Sequence, residues 1–142
     1  MILRQDGSVW STGDNARGQL GQGSTTASSK FVRAAFRDAK AVAGGNGHSM
    51  VLKRDGSVWA AGQNVHGQLG DGSSADRSTF VKVLSGGARA VIAGHDYSMI
   101  LKQDGSIWAT GSNLYGQLGD GSITSEQSFT RIAPFGNGAD AT

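Results

Sequence analysis

The chain has 142 residues, with 13 lysines and arginines against 11 aspartates and glutamates; a net charge of +2 is too balanced to point to a nucleic-acid or membrane partner. It has no cysteine, which excludes disulfides and thiolate metal sites, and its 23 glycines with a single proline suit many tight turns more than a disordered tract. No apolar run approaches the roughly 18 residues of a membrane span, and the opening Met1-Ile2-Leu3-Arg4 lacks the features of a signal peptide.

From the N-terminus, Asp6-Gly7 stands between the apolar runs ending at Leu3 and starting at Val9-Trp10, a hairpin signal because both turn residues tolerate positive φ. A polar, glycine-rich segment follows Gly13, with Gly18-Gln19-Leu20-Gly21 inside it. One apolar residue between two glycines predicts an anchored loop, with Leu20 tucked under a sheet and the Gln19 amide bonding backbone groups. Phe31-Val32-Arg33 alternates as a strand with one wet face, and Ala41-Val42-Ala43-Gly44 is apolar throughout, as for a strand buried on both sides.

The same elements then recur. Trp10, Trp59 and Trp108 are spaced by 49 residues, as are Asn15, Asn64 and Asn113. Asp55-Gly56 and Asp104-Gly105 repeat the turn of Asp6-Gly7, and Gln68-Leu69 and Gln117-Leu118 repeat Gln19-Leu20. A fixed period in this range means a repeat architecture. The chain reads as one segment of three units, 1–49, 50–98 and 99–142. Met1-Ile2-Leu3 aligns with Met50-Val51-Leu52, so the reading starts inside a unit. Pro134-Phe135-Gly136-Asn137-Gly138 adds about two residues to the third unit, which stops at Thr142 where its fourth strand is expected. No helical periodicity is present, and each unit holds about four short antiparallel strands and one long loop.

Four-stranded units of this length are the blades of a β-propeller. The string Asp-Gly-x-(Val/Ile)-Trp-x-x-Gly-x-Asn-x-x-Gly-Gln-Leu-Gly, followed by Gly44-Gly45-Asn46-Gly47-His48-Ser49-Met50-Val51-Leu52, resembles the regulator of chromosome condensation repeat family. The second unit departs from that pattern, with Tyr97 standing where the first has His48. Kelch and WD repeats share the strand count without Gly-Gln-Leu-Gly after the tryptophan. The resemblance implies an all-β propeller closing a ring of about seven blades, more than three units supply. The ring is then completed by the rest of a longer propeller, or by other copies of the chain joined head to tail, two or three in all. The family's activities include nucleotide exchange on a small GTPase with chromatin binding, β-lactamase inhibition and scaffolding. None transfers directly, because the contact residues lie outside the shared motif.

No constellation of catalytic groups is legible. His48, His66 and His95 lie on different kinds of segment without metal-ligand spacing, and Gly18-Gln19-Leu20-Gly21-Gln22-Gly23 lacks the Lys-Ser/Thr and helix of a phosphate loop. The expectation is a non-enzymatic chain without metal or cofactor. Trp10, Trp59 and Trp108 read as blade core. Arg4, Lys53 and Lys102 recur as a cationic row, each offset by an aspartate two residues on. Recognition is expected where the copies diverge, at Arg17, His66 and Tyr115 and at Asn46, His48, His95 and Tyr97. The alternatives remain open: ordinary exposed loop residues for the first three, and for His48 a histidine bonding the backbone of its own blade. The competing class is a self-assembling structural propeller fragment without a ligand.

Overall fold

A computed structural model describes residues 1–132, which form three antiparallel sheets and no helix. Pro134 to Gly138 and the end of the third unit lie outside the described residues. Strands β1 (Ile2–Leu3), β2 (Val9–Gly13) and β3 (Ser28–Arg33) make a three-stranded blade. Strands β4 (Ala39–Gly44), β5 (His48–Lys53), β6 (Val58–Gly62) and β7 (Arg77–Leu84) make the second blade. Strands β8 (Ala88–Ala93), β9 (Tyr97–Lys102), β10 (Ile107–Gly111) and β11 (Glu126–Arg131) make the third, each in meander order.

The blades are out of phase with the sequence units. The strand that ends each unit pairs forward, Val42 with Val51 and Val91 with Ile100, so β4 and β8 open the next sheet instead of closing their own. The cause is the connection: a tight turn leads from Gly44 into β5, whereas residues 34–38 cross from the rim strand of one blade to the inner strand of the next. These inner strands lie against neighbouring blades, β4 on β8 and β1 on β4. They are half-buried, with Ile92 exposed, and not covered on both faces as their apolar sequence suggests. The strand buried on both faces is β5, because its blade is sandwiched: Met50 and Leu52 pack toward the third blade, and Val51 toward the first with Val9 and Phe36.

The turns are tighter in detail than an Asp-Gly pair alone specifies. Lys53 N–H donates to Ser57 O and Gly56 N–H donates to Lys53 O, a three-residue loop in which Gly56 alone takes a positive φ, 83°. Asp55 keeps ordinary backbone geometry and acts through its side chain. Its carboxylate accepts from Ser57 N–H (2.9 Å) and Ser57 O–H (2.6 Å), and Ser57 Oγ accepts the Trp59 indole N–H (3.2 Å). The same relay runs through Asp6, Ser8 and Trp10, and through Asp104, Ser106 and Trp108. These hydrogen bonds hold all three turn aspartates below the usual carboxylate range. The tryptophans are half-buried lids at the edge of the core, and Lys102 lies 3.8 Å from the Trp108 ring centroid.

The long loops are tied down by asparagine more than by glutamine. Asn64 is fully buried; its amide N–H group donates to Asp71 Oδ1, Ser73 O and Ala75 O, and its Oδ1 accepts from Leu69 N–H at 2.9 Å. Asn15 and Asn113 do the same for their loops. Gln19, Gln68 and Gln117 each accept from the backbone N–H two residues back, at Arg17, His66 and Tyr115, and Leu20, Leu69 and Leu118 are buried, all as expected. Replacing Asn64 by Ala leaves one N–H and two carbonyls of a buried loop without partners. The variant is expected to lose about 3 kcal/mol of unfolding free energy in urea titrations.

Candidate functional site

Sheet topology sends the loops to two ends. The long loops after β2, β6 and β10 and the short turns at 45–47 and 94–96 share one end, because each follows a strand running the same way. They are stitched together there: Gln63 N–H donates to Gly47 O, Ser112 N–H to Asp96 O, and Asn46 N–H to His95 O. The turns around Gly7, Gly56 and Gly105 and the connectors 34–38 and 85–87 form the opposite end.

This loop face gathers most of the residues singled out where the repeats diverge. Tyr115 stands 92% exposed, Arg17 and Asn46 are exposed, and His66 is half-buried. His95 is largely exposed and hydrogen-bonds its neighbour Asp96 at 2.8 Å. Arg17 is partly committed, since its guanidinium reaches Asp76 on the next blade at 3.4 Å. Asp76 in turn accepts from Asn64 N–H, so that ion pair sits on an anchored loop.

His48 and Tyr97 are placed differently. The His48 ring folds over Gly45, where a Cβ would come within 2.3 Å of it, and the Tyr97 ring covers Gly94 in the same way. His48 is 1% exposed and bonds Ser98 Oγ of the following blade at 2.8 Å, where the sequence pointed to its own blade's backbone. Ser98 O–H donates to Gln68 O, so it accepts from His48 Nε2–H and fixes that tautomer. His48 is therefore an inter-blade tie. Ser49, which bonds Gln19 O at 2.8 Å, is a second such tie that the sequence reading passed over. Its recurrence as Ser98, one period on, was the available signal.

The geometry defines a β-propeller segment with recurring blade joints inside and divergent loops on one face. The regulator of chromosome condensation (RCC1) repeat model matches residues 6–52 and 55–101, and a second model of this repeat matches 39–68 and 89–117. The chain belongs to this repeat family. No curated protein matches it in sequence. Among solved structures it resembles Prp20p from Saccharomyces cerevisiae, a structure described with its binding properties to Gsp1p and histones, at 23% identity and a TM-score of 0.83. It also resembles yeast Prp20 bound to Kap60 (23%, 0.82) and human WBSCR16 (25%, 0.79). These alignments cover 96%, 96% and 93% of this chain and 36%, 35% and 36% of the others, so the chain spans about a third of their length.

Burial pushes the His48 imidazole down from its ordinary 6.5 to about 4, with the Asp96 charge a smaller opposing influence. The unfolded chain takes up this proton near pH 6.5 and the folded chain only near pH 4, so between them the unfolded state binds more protons and stability falls as pH falls. The shift corresponds to about 3 kcal/mol lost from pH 7 to pH 4. Urea titrations across that window are expected to show the slope in the natural chain and to lose it in His48→Gln, which keeps an N–H for Ser98. The turn aspartates, held below their ordinary 3.8, add their own loss only as pH nears 4, so the histidine slope is read on the side of the window above about pH 5.

Proposed function

We propose that the chain is a non-enzymatic recognition module that binds a protein partner through the loops of one propeller face. The observation that carries this is the separation of constant from divergent residues. Asp55, Trp59, Asn64, Gln68 and Leu69, with their counterparts, are used up in turn, loop and joint contacts within the chain. Asn46, His66, His95 and Tyr115, which differ from copy to copy, share the opposite role on the loop face. A rigid scaffold presenting variable loops is the usual arrangement for recognition. The description of the Prp20p structure by its binding to Gsp1p and histones supports the reading for a chain of the same fold. A pull-down comparing Asn46→Ala/His95→Ala/Tyr115→Ala with the opposite-end variant Arg54→Ala/Gln103→Ala tests it. The loop-face variant is expected to lose the captured protein by tenfold or more and the control to keep it; the reverse pattern, or equal capture, overturns the proposal.

A second reading, self-assembly, rests on the blade joint. The Phe80 ring sits on Gly21 of the preceding blade and the Phe129 ring on Gly70, and a Cβ at either glycine would lie within 2.4 Å of the ring. At the two ends the halves of the same joint are unmatched among the described residues. Phe31 is 51% exposed, and nothing lies within 4 Å of the Cβ position of Gly119. A second copy placed head to tail sets its Phe31 on Gly119 of the first. Sedimentation is expected to give a mass of two or three chains, reduced to one by Phe31→Asp; a folded monomer of the natural chain removes this reading.

A further inference from the structure

One joint between blades differs from the other. The connector from β3 to β4 reads Ala34-Ala35-Phe36-Arg37-Asp38, whereas the positions one period on read Val83-Leu84-Ser85-Gly86-Gly87, of which Val83 and Leu84 still belong to β7 and only Ser85-Gly86-Gly87 cross to β8. Phe36 is 6% exposed and meets two rings edge-on, Trp59 at 5.9 Å and Phe80 at 5.0 Å between centroids. Ser85 supplies no such wedge at the second crossing.

Beside this aromatic cluster, at the rim between the first and second blades, lies an open cleft of about 810 Å³. Phe36, Trp59 and Phe80 form its apolar wall, and the charged lining is Arg33, Arg37, Lys53 and Asp38. The one carboxylate is already occupied, since Lys53 Nζ lies 3.1 Å from Asp38. Arg33 and Arg37 are exposed and form no ion pair among the described residues. The lining thus carries a net charge of +2, three cations against one acid, with its two guanidiniums uncommitted. Asp6, the neighbouring turn acid whose carboxylate feels the Arg33 charge, is held by Ser8.

We propose that this rim cleft is a docking site for an acidic protein segment carrying an aromatic or large aliphatic anchor. Guanidiniums bind carboxylates through paired, charge-assisted hydrogen bonds, and an apolar side chain flanked by those carboxylates fits the ring-walled pocket. The volume is in the range of pockets that enclose a compact ligand, enough for one large side chain and its neighbours. Both blades that build the site belong to this chain, so it stands independently of the loop face and of how the ring is completed. A chain of phosphates would engage the same guanidiniums, but it leaves the aromatic wall unused, and the overall charge of +2 gives little long-range attraction for a polyanion.

The test uses fluorescence anisotropy at 150 mM salt with three probes: a labelled peptide of one Phe between two pairs of Glu, the same peptide with Gln for every Glu, and a duplex DNA competitor. Saturable binding of the acidic peptide is expected, weakened at least tenfold by the Gln replacements and by R33E/R37E, with no displacement by the duplex. Both substituted residues are exposed, and an unchanged urea midpoint confirms that the variant is folded. Absence of saturable binding, equal binding of the Gln peptide, or equal binding by folded R33E/R37E overturns the proposal. Displacement by the duplex reassigns the cleft to phosphate chains and likewise overturns it.

Discussion

Glycine without a side chain is what lets one blade rest on the next. In the first two long loops the glycines of Gly-Gln-Leu-Gly press against the rim strand of the following blade: Gly18 on Ser78 and Gly21 on the Phe80 ring, Gly67 on Gln127 and Gly70 on the Phe129 ring. At Gly70 a Cβ would sit 2.4 Å from the ring, and its φ of 74° is itself unfavourable for any other residue. The approach also brings backbone into register. Gly23 N–H reaches Ser78 O, Gly72 N–H reaches Gln127 O, and isolated bridges pair Gln22 with Thr79 and Asp71 with Ser128. The sheets are thus welded through their loops as well as through side-chain packing.

That joint explains why the loop can be long, polar and still ordered. Asn64 closes it from inside, Leu69 plugs it into the core, and the next blade covers its outer side. Side-chain ties add to the joints at the loop end: His48 to Ser98 links the second blade to the third, and Ser49 to Gln19 O links the second blade to the first. A buried neutral histidine makes one of these ties sensitive to acid, while the turn aspartates, bonded by serine hydroxyls, hold until lower pH. Packing between sheets, more than within any one sheet, supplies the core.

The copies diverge mainly in what this frame leaves over. The loop face presents Asn46, His95 and Tyr115 from different copies, and the rim cleft exists because one connector holds Phe36-Arg37-Asp38 where the other has Ser85-Gly86-Gly87. Phe36 packs on Trp59 and Phe80 without replacing either, so the recurrent turn, loop and joint contacts keep their form around the changed connector.

The repeat itself, the all-β class, the turn at each Asp-Gly and the burial of Leu20, Leu69 and Leu118 were legible in the sequence, because local turn chemistry and a fixed period impose them. The role of Asn64 was visible only as a recurring letter, since a buried amide with four partners spread over a dozen residues leaves no local pattern. Tertiary structure alone decided the phase of the blades, which depends on β4 pairing forward with β5 across a tight turn. It alone moved His48 from the candidate surface into a joint, because burial and the hydroxyl of Ser98 come from a neighbouring blade fifty residues away. It also placed Phe36 against Trp59 and Phe80, a meeting of three rings from three strands or connectors that no spacing in the chain announces.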